Sequence, residues 1–144
     1  MDPSRKKQDD ELLQLVTFSI GEEEFGVNIL KVQEIIRTME IAKVPRAPEF
    51  VEGVINLRGK VIPIIDLRRR FGLVPKAHDK NTRIIVIEIN NIIVGFVVDA
   101  VSEVLRIPAS TVEPPPPVVA GVDSDYISGV GKLQDRLLIM LDLD

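Results

Sequence analysis

"VEGVINLRGKVIPIIDL" (residues 51–67) is almost wholly apolar, yet Asn56, Arg58, Gly59 and Lys60 interrupt it. Apolar residues at 54, 55 and 57, and again at 61, 62, 64 and 65, have the spacing of two short strands. Gly59 supplies the positive backbone angle that a tight turn demands, so Arg58 stands at or beside the bend. The stretch reads as a β-hairpin whose tip displays an arginine.

The same pattern returns 76 residues later, in "ISGVGKLQDRLLIMLDL" (127–143). Without a gap, Gly53/Gly129, Val54/Val130, Leu57/Leu133, Asp66/Asp142 and Leu67/Leu143 coincide. A second block, "LVTFSIGEEEFGVNILKVQEIIR" (15–37), lies over "IIVIEINNIIVGFVVDAVSEVLR" (84–106) at an offset of 69 residues. There Ile20/Ile89, Gly26/Gly95, Val32/Val101, Glu34/Glu103 and Arg37/Arg106 coincide. Two blocks in the same order point to a duplicated unit. The offsets differ by seven residues (76 − 69), which a longer connection in the second copy absorbs, and that connection contains "EPPPPVVAGVDSD", whose four consecutive prolines favour a stiff extended spacer over a strand.

Each copy then reads alike. A strand (15–20; 84–89) turns into a second (25–29; 92–98), and a short helical or irregular turn (30–33; 99–102) leads to a third (34–38; 103–107). A proline-containing loop, with one helical turn at "PEFVEG" in the first copy, reaches the hairpin (54–58 with 60–65; 130–133 with 137–142). About five short strands make a poor open sheet, and closing them protects the edges. The expectation is an all-β protein of two packed five-stranded barrels with short connecting helices. Residues 1–12 form a flexible polar leader, 13–70 the first barrel, 71–82 a linker and 83–144 the second, with room for the C-terminal residues to pack back on the first. In "DLRRRFG", Asp66 is the expected N-cap of a short helix and Gly72 its C-terminal cap.

Composition removes whole classes of function. The 144 residues include no cysteine, one histidine and no tryptophan, and 18 basic against 22 acidic side chains give a net charge of −4. Disulfides, thiolate nucleophiles and cysteine metal sites are excluded. His78 lacks partners for a zinc site or a serine triad, and it reads as solvated surface, so neither metal nor cofactor is expected. A small barrel binding nucleic acid would need a basic, aromatic face, and 4% aromatic residues do not provide one. "MDPSRKKQDDE" has no apolar core of a signal peptide, and no apolar run approaches the ~18 residues that cross a bilayer. A soluble cytoplasmic protein is expected.

The repeat sorts scaffold from function. Asp66 and Asp142, lone carboxylates after a hydrophobic strand, read as turn caps. Glu34 and Glu103 serve equally well as strand residues or as contacts, and the sequence leaves that open. Arg68-Arg69-Arg70 reads as a solvated helix face. Arg58 differs: the second copy has Gln134-Asp135 where the first has Arg58-Gly59, so the fold does not explain the arginine. A guanidinium beside exposed Val or Ile is the composition of a protein-interface hot spot. Ile29, Leu30, Val32, Ile35 and Ile36 are also more apolar side chains than one small barrel holds, so some face a cleft or a partner. A binding scaffold is favoured over an enzyme.

"FGVNILKVQEII", "GVINLRGKVIPIIDLRRRFG", "VGFVVDAVSEVLRI" and "YISGVGKLQDRLLIMLDL" together resemble the bacterial chemotaxis coupling (CheW) family, over about residues 13–143. The resemblance implies two SH3-like barrels. It also implies a non-enzymatic adaptor joining the cytoplasmic helical tip of chemoreceptors to the regulatory domain of the histidine kinase CheA, recruited to the inner face of the membrane through receptor arrays without touching the bilayer. Carried onto this chain, the receptor-facing groove would comprise Val32, Glu34, Ile35, Asn56, Leu57, Arg58 and Gly59. Kinase contacts would use the second barrel around Arg83, Gly95, Val104 and Leu105. The nearest rival is a similar module within the kinase or fused to a receiver domain. Family members usually continue into a C-terminal helix, whereas this sequence stops at Asp144.

Overall fold

The computed structural model describes residues 11–114 and 127–141, which form two sheets joined face to face. The strands are β1 (Leu12–Ile20), β2 (Glu23–Asn28), β3 (Val32–Arg37), β4 (Val51–Leu57), β5 (Lys60–Asp66), β6 (Arg83–Ile89), β7 (Ile92–Val98), β8 (Ala100–Pro108), β9 (Val112–Glu113), β10 (Ile127–Lys132) and β11 (Leu137–Leu141). A helix of four residues, α1 (Leu67–Arg70), follows β5. Expected strands and hairpins are present, with ends shifted by one to three residues. The leader's first ten residues, the proline-rich stretch 115–126 and Asp142 lie outside the described residues.

The strands sort differently from the expected 13–70 and 83–144 barrels. A five-stranded sheet has the order β3-β6-β7-β5-β4, and a six-stranded sheet the order β8-β1-β2-β11-β10-β9. Each copy has therefore given its first hairpin to the other. The reason lies in the parallel pairs: β2 runs parallel to β11, and β7 to β5. Parallel neighbours need a long crossover, which the distant copy supplies. The exchange also explains the unbroken run Ile84-Ile85-Val86-Ile87, every member of which is at most 1% exposed. Ile84 and Val86 fill their own barrel, while Ile85 and Ile87 enter the layer between barrels. In β1, Leu15 faces inward and Val16 and Phe18 face across. A strand buried on both faces has no polar alternation to show.

The two halves obey the same register. Ile35 pairs with Ile85, and its repeat counterpart Val104 with Val16. Ile64 lies beside Gly95 in one parallel ladder, and Met140 beside Gly26 in the other. Bulges fall at Val51/Gly53 and at Ile127/Gly129, the same place in both copies. These shared glycines make room. A Cβ on Gly95 would stand 2.7 Å from Ile64 and 2.8 Å from Ile84, and one on Gly53 2.2 Å from the Ala42 carbonyl oxygen. Pro63, where the second copy has Ile139, has no N–H to give β7, and the β5–β7 ladder starts only at Ile64.

Three local expectations are corrected. The "PEFVEG" segment makes a turn, closed by Val51 N–H donating to Pro48 O at 2.9 Å, and Val51 is already strand. In place of a helical turn at 99–102, Asp99 passes the chain directly from β7 to β8. The three arginines of α1 are engaged, not a solvated face. Arg68 pairs with Asp99 at 3.0 Å, Arg69 with Asp66 at 3.4 Å, and Arg70 lies over the Phe50 ring at 5.3 Å. Asp66 caps α1, accepting from Arg68 N–H at 3.0 Å, and Gly72 ends it at φ +75°. His78, on the strap that follows α1, contacts Glu52 of β4 at 3.1 Å. Burial pushes the Glu52 carboxyl up, partly offset by His78, and its Oε2 is buried without a hydrogen-bond partner.

The packing predicts a graded glycine series, measured by denaturant unfolding. Gly95→Ala costs about 1–3 kcal/mol, Gly53→Ala at least as much because its clash is with backbone, and Gly26→Ala, with its nearest neighbour a Leu138 methyl at 3.1 Å, less than either. The Asp99 carboxyl carries a pH prediction. Burial pushes it up, but hydrogen bonds from Arg68 and Gly21 N–H and the nearby cations outweigh that and leave it below the usual aspartate range. Its stabilising contribution is thus complete above the ordinary aspartate value of about 3.9 and lost as pH falls through the lower folded value. Melting curves of Asp99→Asn should show a shallower acid decline than those of the parent chain.

Candidate functional site

The β4–β5 hairpin closes in two residues, Leu57 facing Lys60, and both linking residues have left-handed backbones: Arg58 at φ +51° and Gly59 at φ +86°. That is a type I′ turn, which normally carries Asn or Gly at its first central position. Arginine there costs about 1 kcal/mol of backbone strain. Asn56 braces the bend, its Oδ1 accepting from Gly59 N–H at 3.0 Å. The Arg58 side chain is 70% exposed, and its guanidinium donates to Glu34 of β3. β3 and β4 are opposite edges of the five-stranded sheet, so this pair spans the gap where the sheet curls upon itself.

Behind the pair lies a groove of ≈ 300 Å³ lined by Gln33, Glu34, Leu57, Arg58, Lys60, Ile62, Val86 and Ile93. Its floor is the buried aliphatic core at Ile62 and Val86, Leu57 and Ile93 edge it, and its rim is polar and charged, with Gln33, Arg58 and Lys60 beside Glu34. Exposed apolar residues belong to the same strands, Ile35 at 39% and Val61 at 71%. Of the seven expected receptor-site residues, Glu34, Leu57 and Arg58 line the groove, and Asn56 and Gly59 shape its turn. Ile35 is on the outer surface, whereas Val32 packs partly buried against the inter-barrel core.

The four expected kinase-site residues are not brought together. Arg83 and Gly95 are in the five-stranded sheet, on the exchanged hairpin, while Val104 and Leu105 are in the six-stranded one. Gly95 is buried beneath Ile64 and Ile84 and presents no surface, which removes it as a contact. Arg83 turns its guanidinium onto the carbonyls of Lys80 and Thr82 at 2.8 Å each. Leu105 packs against the barrel interior. Val104, 54% exposed, is open to a partner.

Sequence reasoning missed Arg136. It stands two residues beyond the register of Arg58, where the second hairpin takes a wider turn closed by Leu133 N–H donating to Arg136 O at 2.9 Å. Arg136 reaches Glu103, the repeat counterpart of Glu34, at 3.1 Å, Glu24 at 2.9 Å and Asp135 at 3.4 Å. The Thr17 hydroxyl holds Glu103 in place, donating to its carbonyl at 2.9 Å and accepting from its N–H at 3.1 Å. Both barrels therefore carry an arginine–glutamate clamp with exposed aliphatic residues next in sequence: Ile35 in one, Val104 and Leu137 (61% exposed) in the other. Their charges differ. At the Arg58 clamp two cations face one carboxylate, and at the Arg136 clamp one cation faces three. The repeat would have revealed Arg136 had the turn length been allowed to vary.

Among the described residues no cluster of three or more His, Asp or Glu could hold a metal ion, and no helix is long and apolar enough to cross a membrane. The family model for the CheW-like domain matches residues 14–144. The chain is 40% identical to the chemotaxis protein CheW of Klebsiella aerogenes over 91% of this chain and 79% of that protein. It is 37% identical to the chemotaxis protein CheW of Helicobacter pylori, over 98% and 85% respectively. The crystal structure of the scaffolding protein TtCheW from Thermoanaerobacter tengcongensis superposes with a TM-score of 0.87 at 43% identity, covering 92% of this chain and 90% of that one. With the duplicated SH3-like barrels and the "NLRG" turn already in view, these matches mean that the chain belongs to the CheW-like family of chemotaxis proteins.

Proposed function

We propose that this protein is a non-enzymatic adaptor that joins the cytoplasmic helical tip of chemoreceptors, at the Arg58 groove, to the regulatory domain of the histidine kinase CheA, at the Arg136–Val104 end. It works in the cytoplasm and is drawn to the inner face of the membrane by the receptors it binds. One observation carries the reading: a long cation is held in a strained left-handed turn, in the open, over an aliphatic groove. Strain at an exposed residue that the fold does not need is what a binding site retains. Leu57 and Ile93, at the groove's edge over the buried Ile62 and Val86, suit the apolar side chains of an amphipathic helix, and Arg58, Lys60 and Glu34 suit its polar flank. The opposite charge balance at the two ends favours different partners, since like-charged surfaces reject one another. Glu103, Val104, Arg136 and Leu137 are the residues assigned to the kinase side. Arg83, Gly95 and Leu105 have no part in it.

Two substitutions test the assignment. Arg58→Ala should weaken binding of a receptor-tip fragment by about 1–3 kcal/mol, with kinase-domain binding intact and the melting temperature almost unmoved. Val104→Asp should do the reverse, lowering affinity for the kinase regulatory domain and sparing the receptor fragment. Titration calorimetry on both variants with both fragments reads the result. Arg58→Asn, which suits the turn, should leave folding stability unchanged or raise it by up to ~1 kcal/mol while losing receptor affinity. Parallel losses against both partners would contradict the division of labour.

A further inference from the structure

Most of what holds the barrels together has no direction. Phe18, Ile20, Phe25 and Val27 from one sheet meet Ile85, Ile87, Phe96 and Val98 from the other, and apolar burial resists separation far more than it resists sliding. Direction comes from the rim, where the chain crosses from β7 to β8. Asp99 is the crossing residue. Its backbone N–H donates to Ser19 O at 3.0 Å, and its Oδ2 accepts from Gly21 N–H at 2.7 Å, so it is fastened to β1 and to the β1–β2 turn of the six-stranded barrel. From the other barrel, Arg68 on α1 donates Nε to Oδ1 and Nη2 to Oδ2, each at 3.0 Å. The remaining nitrogen, Nη1, donates to Val74 O on the strap at 2.7 Å. The side chains are only 19% and 15% exposed, which keeps water from competing for these bonds.

A guanidinium fork on a carboxylate fixes distance and plane together, as no aliphatic contact does. The fork joins the helix that continues β5 to the turn that opens the other barrel, with the strap tied to the same group. Neither residue lines the Arg58 groove or belongs to the Arg136 cluster. We infer that Arg68 and Asp99 are positioning residues that set the angle between the two docking ends, so that breaking the clasp uncouples the partners without weakening the hold on either. This rests on the two-ended adaptor reading. A bridge passes a change from one end to the other through elements of fixed geometry, and among the described residues the Arg68–Asp99 pair is the one that forks across the crossover.

The experiment uses the full chain as Asp99→Asn, Arg68→Gln and Arg68→Lys. Since the sequence has no cysteine, a pair introduced at Lys60 and Lys132 accepts spin labels cleanly, and pulsed dipolar spectroscopy reads the distance across the barrels, while affinities and stimulation are measured on the unlabelled variants that keep both lysines. Three quantities are compared: that distance distribution, the affinity for each partner fragment alone, and receptor-dependent stimulation of kinase activity in a reconstituted mixture. Asp99→Asn and Arg68→Gln should broaden or shift the distances, keep both affinities within about threefold of the parent, and reduce stimulation at least fivefold. Arg68→Lys, which keeps the charge and loses the fork, should fall between. Should Asp99→Asn fail to fold, Arg68→Lys carries the comparison. Unchanged distances in the arginine variants, or stimulation equal to the parent's, overturns the inference. So does a loss of stimulation matched by an equal loss of either affinity. If the parent chain binds neither fragment, the adaptor reading falls instead, and the distances alone decide whether the clasp sets the angle.

Discussion

A layer of eleven buried side chains between two curled sheets is what the rest of this molecule depends on. Each barrel has a small interior of its own, built around Ile64 and Ile84 in one and around Leu15 and Leu138 in the other. The larger apolar mass lies between them. Small barrels bury too little surface to be robust alone, and sharing a layer while exchanging hairpins removes that weakness. The exchange also means that neither half of the chain contains a complete barrel. A cut between them at the strap would leave two open sheets with unpaired edges, which is why the unit must be regarded as one fold.

The repeat then accounts for the functional design. Duplication delivers two equivalent positions for a strand glutamate, a hairpin arginine and exposed aliphatic neighbours, all fixed by one register. Divergence has acted on the turns. The first hairpin keeps a two-residue link that forces Arg58 into a left-handed backbone, and the second widens and moves its arginine to position 136. Extra carboxylates at Glu24 and Asp135 reverse the charge of the second end. A protein with two ends alike in shape and unlike in charge is suited to hold two different proteins at once. The clasp at Asp99 gives that arrangement a defined angle.

Much of this was legible in the amino-acid order. Hairpin 51–67, the strands of both copies, the cap at Asp66 and the glycine end of α1 follow from period two, from turn chemistry and from alignment of the copies. Exchange of the hairpins was not legible, because a strand buried on two faces looks the same whichever barrel it fills. "IIVI" says only that both sides are covered. Assigning Gly95 to a surface failed for the same reason: repeat glycines mark close approach, and this one lies beneath Ile64. Arg58 stands out in the sequence because the ungapped second copy has no arginine at that register, and the structure places it exposed in the turn. Arg136 was overlooked because that same ungapped comparison cannot see a residue displaced by a longer turn. The arginine triplet of α1 misled because charge on a short helix normally faces water, whereas Asp66, Asp99 and Phe50 are gathered from distant segments to meet it.

Simultaneous occupancy is the most direct test of an adaptor with two separate ends. Sedimentation of the purified chain with a receptor-tip fragment and the kinase regulatory domain, each above its dissociation constant, should give a species containing one of each. Titrating either fragment into the other's preformed complex should return the affinity measured alone. Displacement of one fragment by the other would mean that both use a single surface, and the two-ended account would be wrong.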